Sequence, residues 1–339
     1  MAALIPQKMF DEQLAAMDIE NFAQATIRQV GAVGGALEKN SGTEFLHLEM
    51  GVPGLPPETV GVEAEQQALA QGHASTVPPA SRAAPRSRAR LRASSRRSST
   101  STSPPEGLHP DRRLDAGGFC LFQISSQCDP KKDTILFIDP GFPVQRQQVR
   151  ILGIKHESFD IYDFRAEKLG PKLESYLKQG NVAAIIYSNP NNPAWICLTE
   201  SELRTIGELA NKYDTIVLED LAYMGMDFRK ELGHPFQAPF QATAARYTDN
   251  YVLMISGSKI FSYAGQRIAI AAISDKLRNR FYPALKERYG IGRFAESYAL
   301  TFLYAASSGA SHSAQYALAA MFKAAADGKL DFVGHTREY

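Results

Sequence analysis

Cysteine is scarce in this chain: three residues among 339, Cys120, Cys128 and Cys197, with no metal-ligand spacing. Their odd number points to reduced thiols and a cytoplasmic protein. Long apolar runs are absent too. None approaches the roughly 18 residues of a membrane span, and Met1 to Pro6 carry neither the basic nor the long apolar region of a signal peptide. A dinucleotide fingerprint is also missing. Gly31-Ala-Val-Gly34-Gly35 follows a helical pattern, whereas that motif needs a preceding strand.

What the chain does contain is 44% hydrophobic residues, enough for a large core, in alternating strand and helix patterns. Strands are predicted at residues 45–48, 134–138, 155–159, 182–187, 215–220, 251–255 and 268–273. Helices are predicted at 10–30, 57–71, 144–152, 165–179, 199–213 and 275–288, and over most of 299–327. The alternation specifies an α/β fold, a mainly parallel central sheet with helices on both faces. Residues 268–273 should lie antiparallel beside 251–255.

Chemistry concentrates at the ends of three of these strands. Ser256-Gly-Ser-Lys259 follows residues 251–255, and Arg267 comes eight positions after the lysine. A lysine amine forms Schiff bases with carbonyls, and pyridoxal 5'-phosphate is the commonest carbonyl cofactor that also carries a phosphate. Ser256 and Ser258 offer hydroxyls to that phosphate, and Arg267 a planar fork suited to two of its oxygens.

Two motifs upstream supply what the rest of such a ring needs. Ser188-Asn189-Pro190-Asn191-Asn192-Pro193 is a rigid turn after an apolar strand, where open α/β sheets place ligands. An amide there can donate to a phenolate oxygen. Glu219-Asp220-Leu-Ala-Tyr223 ends the next strand; Asp220 can pair with a protonated pyridine nitrogen, and Tyr223 can reach the same ring oxygen as the amide. Glu219 faces away from Asp220 in a strand and is assigned a structural or solvated role.

Taken in this order, the motifs resemble fold type I pyridoxal-phosphate enzymes, specifically the class I and II aminotransferases related to aspartate aminotransferase. The resemblance implies Lys259 as the Schiff-base lysine, Asp220 as partner of the ring nitrogen, and Asn192 and Tyr223 as contacts to the ring hydroxyl. It implies Ser256 and Arg267 as phosphate ligands and Phe142, in Asp139-Pro-Gly-Phe-Pro143, as the aromatic stacked on the ring. Gly51, in Leu48-Glu-Met-Gly51-Val-Pro53, resembles the segment bordering the substrate carboxylate. The implied activity is transamination between an amino acid and a 2-oxo acid in a homodimer, with no nucleic-acid or membrane partner. A β-lyase or a decarboxylase would use the same residues, and the remaining alternative is a catalytically inactive aminotransferase-like fragment that binds cofactor poorly. One departure is local: the family's Asn-Pro-Thr-Gly is here Asn192-Pro193-Ala194-Trp195.

The implied domain organisation is an N-terminal helix and arm over 1–50, a cofactor-binding large domain over 51–310, and a helix over 311–339. That helix leads towards a small C-terminal domain expected beyond Tyr339, which in relatives supplies the arginine for the substrate carboxylate. Residues 74–114 break the pattern. They hold nine arginines against Glu106 and Asp111, in a chain of net charge +1, and almost no large apolar residues. Such composition favours disorder. It fits a solvated linker, an arginine-rich arm for an acidic partner, or misread sequence from a shifted frame. The last is preferred, because this interval should carry an aromatic and a small-residue phosphate loop, and it contains no tyrosine.

Overall fold

Every residue of Val182–Ser188 is buried, which a strand achieves only inside a sheet covered on both faces. In the computed structural model it is the fourth of seven described strands: β1 (Leu108–Asp111), β2 (Thr134–Asp139), β3 (Lys155–Asp160), β4 (Val182–Ser188), β5 (Ile216–Leu221), β6 (Tyr251–Ser256) and β7 (Ala269–Ile273). The structure describes residues 4–22, 25–49, 51–76, 108–111, 114–234 and 237–338. The strand order is β1-β7-β6-β5-β4-β2-β3. β2 to β6 pair in parallel, and β7 runs antiparallel to both β6 and β1. This is the mainly parallel sheet that the alternation specified.

Side-chain alternation sorts each strand between two cores. Ile185, Val217 and Leu253 enter one, with helices Leu169–Leu177, Glu200–Lys212 and His312–Ala326. Ile186, Leu218 and Met254 enter the other, with Leu114–Cys128, Pro283–Tyr289 and Phe294–Ser297. Truncating any of these central side chains to alanine would cost about 2–5 kcal/mol.

Helix Glu200–Lys212 shows how local sequence fixes an element. Thr199 Oγ1 accepts from the Glu202 amide at 3.2 Å, and the Glu202 carboxylate accepts from the Thr199 amide at 2.8 Å, a reciprocal capping box. Glu202 also accepts two bonds from Arg165, at 2.6 and 2.8 Å. Burial pushes its pKa up, but Arg165 and the amides of Ala166 and Thr199 outweigh it and bring the group down to about 2.

The chain divides into two compact units, residues 1–53 and 54–339. In the first, residues 10–30 are not one helix. Helix Gln7–Ala16 ends, and Ile27–Ser41 begins afresh because Thr26 caps it, accepting from the Gln29 amide at 3.3 Å. Ile19, Val33 and Leu37 form a small core of its own. Gly31, Gly34 and Gly35 lie within that second helix, so they make no strand-to-helix turn. Residues 45–48 are not a strand either. Leu46 and Leu48 are 91% and 89% exposed, with no sheet for their alternate side chains to cover.

In the second unit, residues 275–288 split into Asp275–Asn279 and Pro283–Tyr289, because Pro283 opens a new helix at its first turn. Residues 299–327 are interrupted where left-handed Ser308 (φ 53°) and Gly309 (φ 117°) end one helix before His312–Ala326. The basic interval differs at its edges. Helix His73–Thr76 runs into residues 74–114, strand β1 falls inside them, and Leu114–Cys128 starts at their last residue. β1 needs only a backbone edge to pair with, and β7 supplies it. The remainder, residues 77–107 and 112–113, lies outside the described residues, and with it the three readings of that segment. Among the described residues no helix is long and apolar enough to cross a membrane.

Candidate active site

β4, β5 and β6 are neighbours, parallel and in register, so their carboxyl ends open side by side. Ser188 pairs with Asp220, and Asp220 with Met254, two residues before Ser256. The turn bearing Asn192, the Asp220–Tyr223 segment and the Ser256–Lys259 segment therefore leave the sheet along one edge. Phe142 joins them from the end of β2, the other neighbour of β4. This is where parallel sheets bind ligands.

Lys259 sits in the short helix Gly257–Ile260, capped by Ser256, whose Oγ accepts from the Ser258 amide at 3.1 Å. Gly257 permits the close approach that seats it: a Cβ there would lie 3.1 Å from Leu318 of helix His312–Ala326. The Lys259 amine stands 5.9 Å from the centre of the Tyr223 ring. Burial, then the positive charge of Arg267, hold its pKa below the usual lysine range. Arg267 itself is left-handed (φ 52°) and half-buried, donating from one guanidinium nitrogen to the Ala264 carbonyl.

Asp220 is 3% exposed. One oxygen accepts from the Ala222 amide at 3.0 Å, the other from Gln145 Nε2 at 2.8 Å. The Tyr223 hydroxyl is pushed up by burial and by the negative charge of Asp220. Ser188 Oγ accepts from the Asn192 amide at 3.1 Å and from Asn191 Nδ2 at 3.2 Å, bracing the Asn/Pro turn on the strand that bears it. Glu219, one residue from Asp220, points into the opposite core. Its Oε2 accepts from Thr243 Oγ1 at 2.5 Å and the Ala244 amide at 3.1 Å, and burial raises its pKa to about 7. Its role is structural.

Most of the site residues thus share one sheet edge. Gly51 is exposed and belongs to the unit of residues 1–53. Gln145 is the residue that the sequence did not single out. The available signal was a glutamine on the buried stripe of Pro143–Ile151, beside Gln148 and Val149.

A half-buried amine of lowered pKa, a buried carboxylate, a phenol, an amide, two hydroxyls and a guanidinium along one edge form a donor set that fits pyridoxal phosphate. Fold and site together define the large domain of a fold type I pyridoxal-phosphate enzyme. The chain belongs to the class I and II aminotransferase family, whose model matches residues 115–336. It is 23% identical over 159 residues to an aspartate aminotransferase of Bacillus subtilis, covering 47% of this chain and 39% of that protein. Over 134 residues it is 28% identical to the cystathionine beta-lyase PatB of the same organism, covering 40% and 33%. The chain therefore spans only about two fifths or less of these two relatives. In fold it is similar to a double mutant of Thermus thermophilus aspartate aminotransferase, with a TM-score of 0.72 at 19% identity over 96% of this chain and 76% of that one.

Proposed function

We propose that the protein carries out pyridoxal-phosphate-dependent transamination between an amino acid and a 2-oxo acid. The supporting observation is that Asn192, Asp220 and Lys259 stand at the carboxyl ends of three adjacent parallel strands, along the same sheet edge. When bound, the cofactor would supply an electron-accepting ring for the charge left by loss of the amino acid's α-proton.

Lys259 Nζ would hold the cofactor's aldehyde. Its lowered pKa favours the uncharged amine, which can attack a carbonyl and, once released, carry the α-proton as general acid and base. Asp220 would hold the ring nitrogen in its protonated form, with Gln145 fixing the carboxylate. Asn192 and Tyr223 would bind the ring oxygen, Phe142 would cover the ring face, and Ser256, Ser258 and Arg267 would hold the phosphate. A cytoplasmic homodimer completes the proposal, and the three cysteines, buried and in no disulfide among the described residues, accord with a reducing compartment.

The 28% identity to a cystathionine beta-lyase motivates β-elimination as the second reading, since the same residues serve either reaction. Cofactor-loaded protein is offered amino acids with 2-oxoglutarate. Glutamate formation is the expected result; pyruvate and ammonia from a cysteine thioether would favour the lyase, and no product from any amino acid would reject both.

A further inference from the structure

We infer that Trp195 and Phe228 form an aromatic wall beside Lys259 that selects amino acids with aromatic or large apolar side chains. The inference rests on the proposed cofactor site and adds the substrate class.

Trp195 occupies the position at which the family's Asn-Pro-Thr-Gly carries glycine. Its φ of 55° is left-handed, a conformation suited to glycine and strained for a bulky residue. The indole ring gains contacts in return. It meets Tyr223 edge-on, with centres 5.3 Å apart at 72°, and stacks on Phe228 at 5.8 Å and 17°. Tyr223 is the ring that lies 5.9 Å from the Lys259 amine. One phenol ring thus joins the lysine to the aromatic pair.

The pair is not core. Trp195 is 41% exposed and Phe228 46%, so flat apolar surface stays accessible beside the Tyr223 ring that the half-buried amine faces. The neighbouring cation does not counter that character. Arg229 is turned into Asp227, with bonds of 2.8 and 2.9 Å, and donates to the Cys197 carbonyl at 3.0 Å. Against this wall an aromatic side chain gains contact and loses ordered water, whereas a carboxylate loses hydration without compensation.

The test needs no turnover. Phosphopyridoxyl derivatives of L-phenylalanine, L-alanine and L-aspartate, in which cofactor and amino acid are joined by a reduced bond, are titrated into the full chain by calorimetry. Trp195 is the chain's single tryptophan, so its emission reports on the site during the same titrations. The phenylalanine derivative should bind about tenfold more tightly than the alanine one, the aspartate one most weakly, and binding should quench the indole. Trp195→Gly suits the left-handed turn, so it should remove the phenylalanine preference while the alanine derivative binds as before. Phe228→Ala should lower the same preference in part. Equal affinities in the parent chain, or an unchanged preference in Trp195→Gly, would overturn the wall and leave the cofactor site standing. Failure of all three derivatives to bind would overturn the cofactor site and the wall with it.

Discussion

Glu219 and Asp220 are consecutive carboxyls in β5, 0% and 3% exposed, yet they sit in opposite faces of the sheet and meet different partners. Glu219 is closed in by Thr243 and Ala244, and burial raises its pKa to about 7. Asp220 is held by Gln145 and the Ala222 amide, and the strand end carries it to the edge where Lys259 stands. Burial alone therefore does not mark function; position along the strand and the identity of the partners do.

The comparison breaks most visibly in catalysis. Asp220→Ala should lower transamination by about 10²–10³-fold, the scale of losing one preorganised electrostatic partner. Glu219→Gln should leave it near the parent rate. Steady-state kinetics on both variants would refute the division if the two losses were alike.

Stability sharpens it in the other direction. The folded-state pKa of Glu219, about 7, lies above its unfolded value, so the folded chain keeps a proton that the unfolded chain releases at lower pH. The resulting stabilisation is full below the unfolded pKa and is lost as pH rises through about 7, on the order of 3 kcal/mol in all. Urea titrations at a series of pH values should show that fall in the parent and a flatter profile in Glu219→Gln. Parallel profiles would mean that this carboxyl does not carry the dependence.

The smallest effect concerns support for Asp220. Gln145→Leu should weaken cofactor binding by about tenfold, the cost of one buried bond to a charged group. The visible absorbance of bound cofactor, titrated against its concentration, measures it; unchanged affinity would make Gln145 dispensable.

Strand ends were the legible part of this sequence. The apolar runs of β4, β5 and β6 each stop abruptly at polar residues, so Asn192, Asp220 and Lys259 could be placed without coordinates, and two-residue periodicity separated Glu219 from its neighbour. Gln145 was hidden because it reaches Asp220 across 75 positions of sequence, and only packing reveals that contact. Residues 45–48 alternate like a strand but find no partner edge, while Leu108–Asp111 pairs with β7 from within an arginine-rich stretch. Both errors have one cause: pairing belongs to the neighbouring strand as much as to the residues themselves. The aromatic pair at Trp195 shows the same limit, since Phe228 lies in a different loop.

The most direct test is chemical trapping. Protein incubated with pyridoxal phosphate is reduced with borohydride, digested, and its peptides mapped by mass spectrometry. A phosphopyridoxyl group on the peptide containing Lys259 is the predicted result; a group carried only by other lysines, or by none, would contradict it.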